Sequence, residues 1–201
     1  MKTLFLILLG GVLAACSLPG KERAPVTRYV LTDPGPVVRS TKSLPGVLLV
    51  REMETSDFYQ DTRLAFSREP ATRGHYQYAY WTEAPARRLT WLLRQRLESG
   101  GGFGVVDSTG SGIAGDYQLN TRLIDFFHDA SVPPGTALVV LEAELVKRAS
   151  GRLAARRVFA AQQAAVSHDA RGAAEALGRA ANRVMDELVV WLPEAADAPP
   201  R

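Results

Sequence analysis

The chain has 201 residues, 46% of them hydrophobic, which is typical of one domain with its own hydrophobic core. It carries 24 basic and 21 acidic side chains, and the resulting net charge of +3 is too small to indicate a nucleic acid partner. Its single cysteine excludes an intramolecular disulfide.

The N-terminus has the pattern of a bacterial lipoprotein signal peptide. A short basic start precedes an apolar run at residues 4–13, which is too short to span a bilayer as a permanent helix. Small residues then lead directly to Cys16, as in the lipobox where signal peptidase cleaves and the cysteine is acylated. We therefore predict a lipoprotein signal peptide at residues 1–15 and an acyl anchor on Cys16. An ordinary signal peptide with an incidental cysteine is the alternative.

The residues after Cys16 predict how the domain is held at the membrane. Ser17, rather than aspartate, stands at the second mature position, which favours the outer membrane under enterobacterial sorting rules. Residues 16–27 contain two prolines and a glycine and no hydrophobic periodicity, so they predict a flexible tether. The folded domain is predicted over residues 28–192, and its first strands at 29–31 and 47–50.

A strand–turn–strand–helix unit is predicted at residues 62–103. Alternating runs at 62–69 and 75–81 flank a turn that contains proline and glycine. Thr82 is the predicted N-cap of the helix, and Gly100 ends it. Leucines at i, i+3, i+4 and i+8 form a stripe that faces the core. They are Leu89, Leu92, Leu93 and Leu97.

A glycine-rich segment at residues 110–115 spells G-x-G-x-x-G. A dinucleotide site needs these glycines between a strand and the N-terminus of a helix, where the pyrophosphate binds. Here a short strand at 103–106 precedes them, but an alternating strand beginning at Tyr117 follows. We therefore interpret the segment as a loop.

The C-terminal half predicts three long strands and a helix. The strands at 117–127, 137–147 and 152–166 are joined by turn residues, as in an antiparallel meander, and the last is rich in Ala, Arg and Gln, as at a sheet edge. Asp169 is the predicted cap of a helix that Pro193 ends, followed by a disordered tail at 193–201. The predicted fold class is α+β: a single domain with an antiparallel or mixed sheet and two helices packed on one face.

Four segments of the central unit resemble the auxiliary lipoprotein of MCE-type ABC transport systems, the PqiC-like family. They are Arg63-Leu-Ala-Phe66, Tyr80-Trp81, Glu83-Ala-Pro85 and Arg88-Leu89. The similarity extends from the lipid-attachment site to the C-terminal helix. It implies a periplasm-facing, non-catalytic lipoprotein that docks the MCE-domain protein of a lipid transporter at the outer membrane. It also allows a ring-like homo-oligomer.

Two groups of side chains are candidates for partner binding. Tyr76, Tyr78 and Tyr80 are expected on one face of their strand, where aromatic side chains serve core packing or a contact surface. Four arginines avoid the leucine stripe of the first helix, and they form either a solvated polar face or a surface that attracts acidic partner residues or lipid phosphates. They are Arg87, Arg88, Arg94 and Arg96, of which Arg87 and Arg94 are the candidates.

The sequence does not favour an enzyme, and we expect no cofactor and no metal. Cys16 is consumed by the lipid anchor, while His75, His128 and His168 all lie at the predicted ends of elements. His128 with Asp129 has no ligand partner at the spacing of a zinc site.

Two further functions remain open from the sequence. One is a lipid carrier with its own apolar cavity between helices and sheet. The other is a lipoprotein of envelope assembly, serving lipopolysaccharide or polysaccharide export.

Overall fold

The computed structural model describes residues 25–33, 35–36 and 38–197. The predicted signal peptide at 1–15, the lipidation site Cys16 and residues 198–201 of the predicted tail lie outside this part of the chain. The predicted tether at 16–27 is described only from residue 25, and Thr27 already belongs to the first strand. In the described part, no helix is long and apolar enough to cross a membrane.

The described residues form a nine-stranded mixed sheet and two α-helices, which confirms the α+β prediction. The strands are β1 (Thr27–Tyr29), β2 (Leu44–Val50), β3 (Glu54–Thr55), β4 (Arg63–Ser67), β5 (Gly74–Trp81), β6 (Phe103–Ser108), β7 (Tyr117–Asp129), β8 (Thr136–Lys147) and β9 (Arg152–Ala164). The helices are α1 (Pro85–Gly100) and α2 (Ala170–Asp197). The sequence did not predict β3 or the 3-10 turn at Asp57–Tyr59.

Strand β7 is the centre of the sheet. Strand β8 pairs with it antiparallel along its length, and β9 continues the predicted meander as an edge strand. On the other side of β7, three short strands follow one another, all parallel to it: β2, β3 and β4. Strand β5 pairs antiparallel with β4 and parallel with β1, and β6 pairs parallel with β2. Long-range pairing of this kind is not encoded in local periodicity.

One hydrophobic core joins the sheet to both helices. Alternate residues of β8, from Ala137 to Leu145, are buried, as the period-two pattern predicts. The four leucines of the α1 stripe are at most 4% exposed. Helix α2 packs on β8 and β9 and buries seven alanines and six larger aliphatic or methionine side chains.

The start of α1 differs from the prediction. Ala84, not Thr82, is the N-cap, and Pro85 is the first helical residue. The first backbone bond of the helix runs from Arg88 N–H to Ala84 O at 3.1 Å. Proline fits here because its φ is already helical and its missing N–H would have no partner in the helix. At the other end, Gly101 takes the left-handed conformation with φ of 69°.

The end of α2 also differs from the prediction. The helix passes through Pro193 and continues to Asp197, so the predicted tail at 193–201 is wrong for its first five residues. Ala195 and Ala196 are 6% and 2% exposed, and burial of this last turn offsets the backbone bond that proline cannot make. At the N-terminus of α2, the predicted cap is confirmed, since Asp169 Oδ1 accepts the Gly172 N–H at 2.8 Å.

Candidate partner-binding site

The outward face of α1 carries an arginine–tryptophan–arginine row. Arg87, Trp91 and Arg94 are at i, i+4 and i+7, so they lie on one stripe of the helix, opposite the leucines. Trp91 is 42% exposed, although it is one of the largest apolar side chains of the domain. The guanidinium of Arg88 lies 4.6 Å from the centroid of the indole ring, in a cation–π contact that holds the ring in place.

A groove runs between this row and the ends of β2 and β6. Its volume is about 420 Å³. One wall is α1, with Arg87, Thr90, Trp91 and Arg94. The other contains Val50, Glu52, the last residue of β6 and the loop residues 109–110. Gly110 begins the glycine-rich segment, and β7 follows that segment directly, as predicted for a loop.

Thr90 fixes the two walls of the groove to each other. Its hydroxyl donates to Ala86 O at 2.8 Å within α1 and accepts the N–H of Met53 at 2.9 Å. Met53 lies between β2 and β3 and is 5% exposed, so the chain leaving β2 is anchored to the helix. The groove is therefore formed by rigid elements rather than by side-chain positions alone.

The two arginines of the row keep hydrogen-bonding capacity. In the described part of the chain, the Arg87 guanidinium forms neither an ion pair nor a hydrogen bond, and the side chain is exposed. Arg94 Nε lies 3.4 Å from Glu98 Oε1, is buried, and has no hydrogen-bond partner among the described residues. A guanidinium has five N–H donors, and 33% of the Arg94 side chain is exposed, so both arginines can bind a further carboxylate.

The other two arginines of α1 do not belong to a solvated face, which corrects that prediction for them. Arg96 is 2% exposed and pairs with Asp33 and Asp186. Arg88 is partly buried and donates from Nε to Leu31 O at 2.9 Å. Both side chains therefore tie the segment after β1 to the helix.

The tyrosine row is split by the irregular pairing of β5. Tyr80 lies opposite Arg63 and His75 opposite Ala65, so four residues of β5 correspond to one of β4, and the period-two pattern is broken there. Tyr76 is partly buried, and its hydroxyl is bonded to His128. Tyr78 is 38% exposed. A contact role for Tyr78 and Tyr80 stays a prediction, whereas the Tyr76 hydroxyl is already used within the fold.

His128 is a buried structural residue. Its Nε2–H donates to the carbonyl of Pro134 at 3.2 Å, because a carbonyl can only accept, and this leaves Nδ1 to accept the Tyr76 hydroxyl at 2.8 Å. Burial lowers the pKa of His128 below its usual value. His168, next to the cap of α2, donates from Nδ1 to the same carbonyl at 3.3 Å. The cluster therefore joins the β7–β8 turn to β5 and to the start of α2.

The sequence profile of ABC-type transport auxiliary lipoprotein components matches residues 29–189, which is most of the chain and nearly all of the described domain. The chain belongs to this family. Membership means a membrane-anchored lipoprotein of the cell envelope with an auxiliary part in ABC-type transport. The resemblance found in residues 63–89 is thereby confirmed.

Solved structures share the fold of this family member. Protein XCC0632 from Xanthomonas campestris, of family DUF330, has a TM-score of 0.76 at 23% identity and covers 85% of this chain and 96% of its own. The hypothetical protein CT253 from Chlamydia trachomatis has a TM-score of 0.56 at 9% identity and covers 78% of this chain and 100% of its own. No curated protein matches the chain in sequence. At these identities the structures support the fold alone.

The sequence interpretation missed Trp91, the exposed aromatic residue that lies between the two candidate arginines. Its position at i+4 from Arg87 and i−3 from Arg94, opposite the leucine stripe, was readable from the sequence. The second wall of the groove was not readable, because β2 and β6 are brought to α1 by long-range pairing.

Proposed function

We propose that this auxiliary lipoprotein docks the MCE-domain protein of an ABC lipid transporter and holds it at the outer membrane. The acyl anchor on Cys16 fixes one end, the tether spans the space above the lipid surface, and the folded domain binds the partner. The observation that carries the proposal is the family match over residues 29–189 together with the lipobox pattern that precedes it.

The construction of the core supports a docking role over a lipid carrier. A carrier needs an apolar cavity between its helices and its sheet. Here that space is occupied by α2, whose Ala173, Ala176 and Ala180 have no exposed surface. Small side chains bring the helix close to β8 and β9, and the groove beside α1 has arginines and a glutamate in its lining. Both features suit the binding of a protein better than the enclosure of acyl chains.

An affinity pull-down from solubilised envelopes tests the proposal. The tagged mature protein is compared with Cys16→Ala, and MCE-domain proteins are identified by mass spectrometry. We expect the MCE-domain protein with both samples, because the folded domain makes the contact and the lipid supplies the anchor. Absence of any transporter component from both samples would overturn the proposal and favour envelope assembly instead.

Membrane fractionation tests the second half of the proposal. We expect the acylated protein to sediment with outer-membrane vesicles and Cys16→Ala to be released into the periplasmic fraction, because the proposed anchor is the acyl chains on Cys16. Recovery of the acylated protein with the inner membrane would contradict the placement while leaving the docking role intact.

A further inference from the structure

We propose that the groove beside α1 is the docking site for an acidic, extended peptide segment of the partner protein, with Arg87 and Arg94 binding its carboxylates and Trp91 packing on its backbone. This inference rests on the proposed function, since it names the surface by which the partner would be held.

The shape and the residue types of the groove fit a peptide. A volume of about 420 Å³ accommodates a few residues of extended chain and lies within the range of ligand-binding clefts. Tryptophan and arginine are the residue types most enriched where binding energy is concentrated. Trp91 is held by Arg88, so little side-chain entropy is lost when a partner covers the exposed part of the ring.

The charges of the groove select the occupant. Arg87 and Arg94 are seven residues apart, which places their α-carbons roughly 10 Å apart along the helix axis. This spacing fits two acidic side chains at alternate positions of an extended segment, which are roughly 7 Å apart before side-chain reach is added. Arg87 has no ion-pair partner among the described residues, and Arg94, which lies 3.4 Å from Glu98, keeps 33% of its side chain exposed to an incoming carboxylate.

A membrane surface fits the same groove less well. Binding to anionic lipid requires several basic residues on one side without interspersed acids. Here Glu52 lines the groove and Glu98 lies beside Arg94, so the local excess of positive charge is small. Two carboxylates of a peptide can contact Arg87 and Arg94 and avoid both glutamates. The phosphates of a lipid surface would also face Glu52 and Glu98.

Site-specific photocrosslinking of the full acylated protein tests the site. A benzophenone amino acid replaces Thr109, which is exposed on the wall opposite α1, and a control protein carries it at Ala149, which is exposed in the β8–β9 turn outside the groove. We expect the Thr109 probe to crosslink a segment of the MCE-domain protein that contains aspartate or glutamate. The Ala149 probe should not give this product.

Charge reversal in the Thr109 probe background separates the groove from the rest of the surface. Arg87→Glu should lower the crosslink yield about tenfold, because a repelled carboxylate replaces a bound one. Arg183→Glu, the matched reversal of an exposed arginine on α2, should leave the yield unchanged. Arg87→Lys should restore most of the yield, since it keeps the charge and loses the forked geometry.

The possible results distinguish the two proposals. Recovery of the MCE-domain protein in the pull-down, with groove crosslinks that are insensitive to Arg87→Glu, would overturn the groove and leave the docking function standing. Crosslinks to lipid or to a second copy of this chain would also overturn it. Loss of the MCE-domain protein from both pull-down samples would overturn the proposed function itself. Thermal unfolding of each variant confirms that the reversal acts on binding and not on folding.

Discussion

The two helices pack on the same sheet with side chains of different size. Helix α1 buries four leucines on one face and exposes arginine and tryptophan on the other. Helix α2 is 28 residues long, and seven of the 17 residues that it buries are alanines, five of them between Ala173 and Ala181, where its backbone can lie close to β8 and β9. The two helices meet where Gly100 approaches Val189, and a Cβ at Gly100 would lie 2.7 Å from Val189 Cγ1. The shorter helix therefore keeps an exposed face with arginine and tryptophan, while the longer one is buried along more of its length.

The size of the buried side chains helps to set how much of a helix stays exposed to solvent and to partners. Large apolar side chains fill the core at a distance and leave the opposite face of α1 at the surface. Small side chains require a close approach and place more of the circumference of α2 against the sheet.

Removal of Arg96, the buried cation that joins the helices, should lower the free energy of unfolding more than any other substitution considered below. Arg96→Met leaves Asp33 and Asp186 facing each other without a counter-charge, so the free energy of unfolding should fall by about 4 kcal/mol. Urea unfolding measures the loss. Arg94→Met on the groove side of the same helix should change stability by less than about 0.5 kcal/mol. Equal effects at both positions would contradict the assignment of Arg96 to the core.

Shortening a buried leucine side chain of α1 should destabilise the protein strongly. Leu93 has no exposed surface, so Leu93→Ala leaves a cavity and should lower the free energy of unfolding by about 3 kcal/mol. Urea unfolding is again the measurement. The matched control is Gln95→Ala, which is exposed on the same helix and should be close to neutral.

Enlarging a buried alanine side chain of α2 should also lower the stability, by a smaller amount. Ala180→Leu inserts three carbons where the helix packs with no exposed surface, and it should cost about 2 kcal/mol. The exposed control Arg183→Leu should cost little. If Ala180→Leu stabilised the protein instead, a cavity would exist beneath α2, and the lipid-carrier function would gain support.

Acidification should weaken the junction at the start of α2. Burial lowers the pKa of His128, so below about pH 6.5 the unfolded chain takes up a proton that the folded state does not. Stability should therefore fall as the pH drops from about 6.5 toward the lowered pKa of the folded state, and His128→Asn should remove this part of the pH dependence. The nearby groups are His168, which lowers the pKa further, and Asp129 and Asp169, which raise it.

Controls for the pH effect come from the same region. Burial also lowers the pKa of His75. A His75→Gln variant should therefore lose the contribution of His75 to the pH dependence of stability and keep that of His128. Tyr76→Phe removes the hydrogen bond to Nδ1 and should cost about 1 kcal/mol at neutral pH. A pH profile that is unchanged in His128→Asn would contradict the assignment.

The sequence was informative where a local pattern was strong. The leucine stripe of α1, the alternation of β8 and the cap at Asp169 were all read correctly, because each depends on residues a few positions apart. The N-cap of α1 at Ala84 was not, because Pro85 fits the first helical position, where its missing N–H has no partner to lose. The continuation of α2 through Pro193 was not, because burial of Ala195 and Ala196 outweighed the local signal.

The candidate site was only half predictable. The row on α1 follows from helical periodicity, and Arg87 and Arg94 were identified on that basis. The burial of Arg96 was not predicted, because Asp33 and Asp186 reach it from segments 63 and 90 residues away in the chain. No local pattern encodes such a contact.

Composition, short motifs and local periodicity are enough to predict the α+β class, the family, the anchor at Cys16 and the polar stripe of α1. Only the tertiary structure decided that three short strands share one edge of β7, that two of the arginines of α1 are structural, and that a groove adjoins Trp91. Those features arise when distant segments share one core, and the free energy of that packing is a property of the whole chain rather than of any one stretch.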